Sequence, residues 1–257
     1  MELVLLTAIG VGGATVIGAL LGFCFRNISH KFSDAVLGFA AGVMLCAAVV
    51  GLVLPSIEYG GGGAPALLIT IVGVFVGALV LNLIDRLVPH LHRVTAGADS
   101  DQEMHPDSAA RVGKIMLFVL AIAIHNFPEG IAAGVGFGSD NVTSALTIAG
   151  GIALQNIPEG MVIIAPMLAA GISKKRTFFI AAATGLIEVI GTLIGYFAVH
   201  VSVAVLPFAL AFAGGTMLYI ISDEMIPETH AHGNERGATY ALLCGFCLML
   251  AVDVLLG

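Results

Sequence analysis

Eight apolar runs of roughly 20 residues each limit what this chain can fold into, because each is long enough to cross about 30 Å of hydrocarbon as an α-helix. None of them shows the period-two alternation of a membrane β-barrel strand. The runs cover approximately residues 3–25, 34–56, 66–88, 113–137, 144–170, 177–199, 203–222 and 238–256. The sequence therefore predicts an all-α polytopic membrane protein, in which residues 1–257 form one domain of eight transmembrane helices.

The composition fits a membrane protein and excludes several other classes. Hydrophobic residues make up 58% of the 257 residues and charged residues only 11%, whereas soluble domains carry about 25% charged residues. The 10 Lys and Arg residues against 17 Asp and Glu give a net charge of −7, so nucleic acid is not an expected partner. Four cysteines in a chain of this length do not indicate a disulfide scaffold.

The positive charges predict the orientation of the helices. All 10 Lys and Arg residues fall in or within three residues of the four connections that follow the first, third, fifth and seventh runs. Because Lys and Arg accumulate in cytoplasmic loops, these four loops are predicted to be cytoplasmic and both termini to lie outside. The longest of them, residues 89–112 between the third and fourth helices, is expected to be a polar linker. Weak metal capture or sensing by its histidines is the alternative.

Three glutamates, Glu129, Glu159 and Glu188, fall at the middle of the fourth, fifth and sixth predicted helices. A charged side chain at this depth costs about 2.5–3.5 kcal/mol on insertion scales. No Lys or Arg lies near the middle of any predicted helix, so a proton or a bound cation must neutralise the charge. A protonated, hydrogen-bonded glutamate is the structural alternative for any one of them, but three at one depth favour a functional site.

A six-residue motif occurs twice, as HNFPEG at 125–130 and as QNIPEG at 155–160, in consecutive helices that must run antiparallel. Residues four apart share a helix face, so His125 lies over Glu129, and the same holds in the second motif. Each proline leaves one carbonyl without its helical donor, and in lipid such a kink belongs beside polar groups or water. Imidazole, amide and carboxylate donors suit Zn²⁺, Fe²⁺, Mn²⁺ or Co²⁺ and disfavour Cu⁺, so the motifs predict a divalent-metal site.

The two motifs, together with GLIE at 185–188, resemble the ZIP family of divalent-metal transporters, and within it the prokaryotic branch of ZupT- and GufA-like members. Further similar stretches are GFAAGVM at 38–44, DRLVPH at 85–90 and DEMIPE at 223–228. The resemblance extends over the second to the seventh helix. It implies a helix bundle of ZIP type with eight spans, outside termini, and a metal site built by helices two, four, five and six.

The resemblance also implies which residues bind the metal. The first metal position would use His125, Glu129, Gln155 and Glu159, with Met44 nearby. A second, adjacent position would use Asn126, Asn156 and Glu188, and would share Glu129 and Glu159 as bridges. Gln155 replaces a histidine of many relatives, and Asn156 an aspartate of some, so the sequence removes one nitrogen ligand and makes the second position less negative.

The acidic end of the seventh run has two interpretations. The charge pattern alone predicts a solvated helix end. The resemblance instead implies an exit for metal that leaves the central site, with Asp223, Glu224 and His230 as the residues that accept it.

The expected function is import of divalent transition metal ions into the cytoplasm. Zinc is the main expected cargo, and iron, manganese, cobalt and cadmium are further candidates. The metal is the substrate, and no prosthetic group is expected. Since the chain has no G-x-x-x-x-G-K-[ST] motif, transport must follow the metal gradient or be coupled to another ion. The expected location is the cell membrane, the inner one in a bacterium, where the protein crosses the lipid bilayer several times. A homodimer is one candidate assembly.

Two other functions stay open on the sequence. One is a membrane-embedded di-metal carboxylate enzyme, since soluble di-iron bundles also place Glu and His one helical turn apart. Against it, the chain has no H-E-x-x-H, and amide groups are poor ligands for oxygen chemistry. The other is a metal sensor that binds without transporting, and the sequence does not separate it from a transporter.

Overall fold

The computed structural model describes residues 1–24, 29–87, 108–138, 141–169, 171–201 and 203–256, and these residues form helices and turns without a strand. Eight long helices, numbered here in chain order, account for most of them. They are α1 Glu2–Cys24, α2 His30–Tyr59, α3 Gly63–Leu87, α4 Ser108–Gly136, α5 Val142–Ala169, α6 Lys174–Val201, α7 Leu206–Thr229 and α8 Glu235–Leu256. The predicted all-α class is confirmed.

Seven of these helices, all except α4, are long and apolar enough over their described residues to cross a membrane. The chain is therefore a multi-pass membrane protein, as predicted. Helix α4 is continuous over 29 residues, and about 20 residues suffice for one crossing. It already begins at Ser108, so the last residues of the loop predicted at 89–112 are helical, whereas 88–107, with the loop histidines, lie outside the described residues.

Two helices widen into a π-helical segment just before a proline. Helix α2 does so over Ala47–Val53, ahead of Pro55, and α7 over Ile221–Met225, ahead of Pro227. A proline ring clashes with the carbonyl four residues back and offers it no N–H, and a wider turn accommodates both effects. Such segments are frequent at functional sites, and the second one contains the acidic pair of the DEMIPE stretch.

The helices pack as two bundles of four. In the first bundle α4 packs along α6, and α1 packs along both α5 and α6; in the second bundle α8 packs along α2, and α3 along α7. The bundles meet mainly where α2 contacts α5 and where α7 contacts α4. The two helices that carry the repeated motif therefore form much of the first bundle's boundary with the second.

Glycines allow the helices of the first bundle to cross closely. A Cβ atom on Gly130 would overlap the carbonyl oxygen of Glu188, and one on Gly160 would overlap the carbonyl oxygen of Thr15. Both motif glycines therefore lie at close helix crossings. In lipid, packing of small residues replaces the hydrophobic effect as the force that holds helices together.

The largest apolar cluster joins the two bundles. It contains Met44 and Met217 from the second bundle and Ile152 from the first, all of them completely buried. Met44, which the resemblance places near the metal, is therefore part of the packed core at the boundary between the bundles.

Candidate metal site

Helices α4, α5 and α6 bring seven polar side chains of the predicted site into the protein interior. Asn126, Asn156 and Glu188 are 0% exposed, and Glu129 and Gln155 are 2% exposed. His125 and Glu159 complete the set, the former buried and the latter half-buried. All seven predicted side chains are therefore at least partly removed from the surface.

The prolines of the two motifs lie inside helices that continue past them, α4 through Pro128 and α5 through Pro158. Since a proline has no N–H, the carbonyls of Ile124 and Leu154 lose their helical donor. Polar backbone atoms therefore lie within one turn of the motif glutamates, at the same depth as the motif side chains.

The carboxylates of the site are close enough to repel one another. Glu159 interacts electrostatically with Glu129 and Glu224, and also with the His125 imidazole. Glu188 interacts with both Glu129 and Glu159. Like charges that share a buried volume require neutralisation by protons or by a cation. The arrangement is therefore suited to exchange of metal for protons.

Several buried polar atoms of the two motifs find no hydrogen-bond partner among the described residues. They are both amide atoms of Asn126, Oε2 of Glu129, Oε1 of Gln155 and Oδ1 of Asn156. Buried polar atoms are almost always hydrogen-bonded, and leaving one unpaired costs about 1–3 kcal/mol. Each of these four residues has an unpaired oxygen, the atom type that hard and borderline divalent cations bind. A cation or water at this point would satisfy them.

The amide nitrogens of Asn156 and Gln155 are hydrogen-bonded, which leaves the amide oxygens of these two residues available. Asn156 Nδ2 donates a hydrogen bond to the Val11 carbonyl at 3.2 Å. The Gln155 side chain lies within hydrogen-bonding reach of the Glu129 carboxylate, which directs its nitrogen to that carboxylate and leaves its oxygen unpaired. Both amides therefore present oxygen to the site.

Helix α1 contributes a contact that the sequence did not predict. The Thr15 hydroxyl donates to the Glu188 carboxylate, and lies 3.1 Å from Oε2 and 3.2 Å from Oε1. In an apolar helix, neither spacing nor a motif distinguishes a threonine that contacts a site from one that only packs. Only the crossing of α1 with α6 shows that Thr15 touches the site.

The acidic pair of DEMIPE lies inside α7, since this helix runs on to Thr229, beyond the predicted end at residue 222. Glu224 Oε1 lies 2.8 Å from Nε2 of His125. Asp223 is half-buried beside it. The prediction of a merely solvated helix end is thus wrong for Glu224, which reaches a residue of the central site.

The side-chain contacts of His230 lie at the end of α7 and not at the central site. Its Nδ1 lies 2.7 Å from the Ile226 carbonyl oxygen, and its Nε2 lies 3.3 Å from the Thr239 hydroxyl. These contacts connect the end of α7 to the start of α8. His230 therefore lies at the end of α7, away from the contact between Glu224 and His125.

Over the part of the chain that the structure describes, no three His, Cys, Asp or Glu side chains are arranged to hold a metal ion by themselves. His125 is bonded to Glu224 in this conformation. A metal at the centre would therefore depend on the amide oxygens of Asn126, Gln155 or Asn156 in addition to carboxylates.

The chain is similar over most of its length to known metal transporters. The family described as ZIP Zinc transporter matches residues 2–253. The zinc transporter GufA of Myxococcus xanthus is 40% identical over 257 residues, which cover 98% of each chain. The zinc transporter ZIPB of Bordetella bronchiseptica is 37% identical over 95% of this chain and 78% of its own. ZupT of Chlorobaculum parvum is 35% identical over 95% of this chain and 94% of its own. The similarity thus covers both bundles and every residue of the site.

Proposed function

The chain belongs to the ZIP family of zinc transporters and transports divalent metal ions, and from this premise we propose that zinc enters the cytoplasm through the buried site on α4, α5 and α6. It is a transporter and not an enzyme. The observation that carries the proposal is the group of unpaired buried oxygens on the two motifs. A cation cargo would supply the partners that these buried oxygens lack, beside glutamates that need neutralisation at this depth.

The proposed ligands fall into two adjacent positions. The first comprises His125, Glu129, Gln155 and Glu159, with Met44 nearby. The second comprises Asn126, Asn156 and Glu188, with Glu129 and Glu159 as shared bridges. Their burial and the mutual interaction of the carboxylates support this assignment. Zinc is the proposed physiological cargo, and iron, manganese, cobalt and cadmium are further candidates for an oxygen-rich site.

We propose eight transmembrane spans with both termini outside. In this topology α2 and α8 should run parallel, and they do, since Gly38 lies against Ala238 and Gly42 against Leu242. Helices α3 and α7 should also run parallel, and their glycine contacts follow the same order. The Lys31 end of α2 and the start of α8 line one surface pocket, which supports the proposal that two of the predicted cytoplasmic loops share one face. A multi-pass protein of this orientation fits the cell membrane, the inner one in a bacterium.

We propose that the metal leaves the site by way of Glu224. His125 belongs to the first bundle and Glu224 to the second, so their contact spans the boundary between the bundles. Movement of one bundle against the other would change the side to which the site opens, as alternating access requires. Asp223 and then His230 continue this path toward the start of α8.

Metal uptake by proteoliposomes that contain only this protein tests the proposal. Purified protein is reconstituted, zinc is added outside, and the metal trapped inside is counted against empty liposomes. We expect uptake by the protein alone. Zinc binding to the reconstituted protein without accumulation would leave a sensor and contradict the proposal.

A further inference from the structure

Helix α1 supplies none of the proposed ligands. Two polar groups on one of its faces nevertheless form hydrogen bonds with the proposed ligands Asn156 and Glu188. The Val11 carbonyl accepts a hydrogen bond from Asn156 Nδ2 at 3.2 Å. One turn later, the Thr15 hydroxyl lies 3.1 and 3.2 Å from the two carboxylate oxygens of Glu188. Residues four apart share a helix face, so α1 presents one orienting surface to Asn156 and Glu188, two of the ligands proposed for the second metal position.

The hydroxyl of Thr15 departs from the usual behaviour of a threonine in a helix. Such a hydroxyl commonly bonds a carbonyl three or four residues back in its own helix. Seven other threonines of this protein do so: Thr7, Thr70, Thr184, Thr192, Thr216, Thr229 and Thr239. For Thr15 that carbonyl belongs to Val11, which accepts Asn156 instead. Hydrogen bonds thus connect α1 to α5 through Asn156 and to α6 through Glu188.

The packing around Thr15 holds its hydroxyl in place. Its side chain is 0% exposed. Gly160 packs against its carbonyl oxygen, and a Cβ atom on Gly185 would lie 3.3 Å from its own Cβ. A branched side chain at such a crossing has little freedom to turn, so the hydroxyl stays directed at the Glu188 carboxylate.

We infer that Thr15 is a positioning residue, whose hydroxyl holds the Glu188 carboxylate in the orientation that binds metal at the second position; this rests on the proposed function. Glu188 experiences repulsion from Glu129 and Glu159, which favours rotation of its carboxylate away from the centre. The hydrogen bond that the Thr15 hydroxyl donates to the two oxygens of this carboxylate opposes that rotation. Because an ionised carboxylate has about four lone-pair positions, it retains enough of them to bind a cation and to stay within reach of Asn156.

Partners that orient a metal ligand typically contribute about 10–100-fold to metal affinity. We therefore expect Thr15→Val, which keeps the shape and removes the hydroxyl, to weaken zinc binding about tenfold. Thr15→Ser keeps the hydroxyl and should bind within about twofold of the wild type. Thr184→Val is the matched control, because Thr184 is also buried and lies one turn before Glu188, but its hydroxyl donates to the Ala181 carbonyl.

The affinity is measured by equilibrium dialysis of zinc against purified full-length protein, with thermal unfolding of each variant recorded in parallel. Equal affinities of Thr15→Val and wild type, or equal losses in Thr15→Val and Thr15→Ser, would overturn the inference. If Thr15→Val does not fold, Thr15→Ala replaces it in the comparison with Thr15→Ser.

A double-mutant cycle with Glu188→Gln separates positioning from general packing. If Thr15 acts through the Glu188 carboxylate, Thr15→Val should cost less than twofold in the Glu188→Gln background. The same tenfold loss in both backgrounds would show a packing role and overturn the inference. If Glu188→Gln binds no zinc, the comparison of serine with valine at position 15 decides alone. Failure of the proposed function is distinct, since it would appear as absent uptake by the wild type.

Discussion

The imidazole of His125 and the carboxylate of Glu224 are 2.8 Å apart, although the two residues are 99 positions apart in the chain. One belongs to the repeated motif on α4, the other to the π-helical segment of α7. The contact crosses the boundary between the two bundles. A metal bound by His125 would therefore meet an oxygen ligand of the opposite bundle directly as it leaves the central site.

Replacement of Glu224 tests this handover. We expect Glu224→Gln to lower the maximal rate of zinc uptake about tenfold, because a hydrogen bond to a charged group contributes about 1.5–3 kcal/mol. Zinc affinity at the central site should fall less than the uptake rate does, since the proposed ligands all remain and a glutamine keeps an oxygen within reach of His125. The measurement compares uptake rate with equilibrium zinc binding, and Glu235→Gln, an exposed position at the start of α8, is the control. An unchanged rate would remove Glu224 from the path.

The orientation of the helices is tested with an impermeant thiol reagent. The four native cysteines, of which only Cys46 is buried, are first replaced by serine or alanine. Cysteine at Ala64 or Val142, both exposed near a helix start, should react from outside, whereas cysteine at exposed Ser173 should react only after permeabilisation. The opposite pattern would invert the topology and, with it, the proposed direction of import.

The metal preference is tested at Gln155, whose side-chain oxygen is buried and unpaired. Imidazole favours zinc more than an amide oxygen does, so Gln155→His should shift uptake toward Zn²⁺ relative to Mn²⁺. The new imidazole must be neutral to bind, so uptake should also fall more steeply below about pH 6.5. Uptake of each metal is measured with the other as competitor at two pH values.

Gln155→Asn is the matched control for this change, because it keeps the amide and only shortens the side chain. It should weaken uptake of both metals to a similar extent. A zinc-to-manganese ratio and a pH profile that are the same in Gln155→His and wild type would mean that Gln155 does not bind the metal.

Those parts of the site that lie within one helix could be predicted from the sequence. The spacing of His125 and Glu129 follows from the 3.6-residue period of a helix. The cost of a mid-membrane charge is enough to place Glu188 in the interior, where it is 0% exposed. The close approach at Gly130 likewise follows from a small residue in a lipid-embedded helix.

Those parts that depend on how helices cross could not be predicted in this way. Thr15 and Glu188 are 173 positions apart, and no periodicity relates them. The charge pattern alone predicted a solvated helix end for Glu224. A π-helical segment instead accommodates Pro227 and carries the helix to Thr229, which leaves Glu224 in reach of the central site.

The central claim is that zinc passes through the buried motif glutamates, and zinc uptake by proteoliposomes of Glu129→Ala and of Glu159→Ala tests it most directly. Removal of a carboxylate that is costly at this depth should leave the protein folded in the membrane. Correct folding is verified by thermal unfolding, and Glu235→Ala serves as the surface control. The account predicts that both site variants lose uptake while the control keeps it; full uptake by both folded site variants would contradict it.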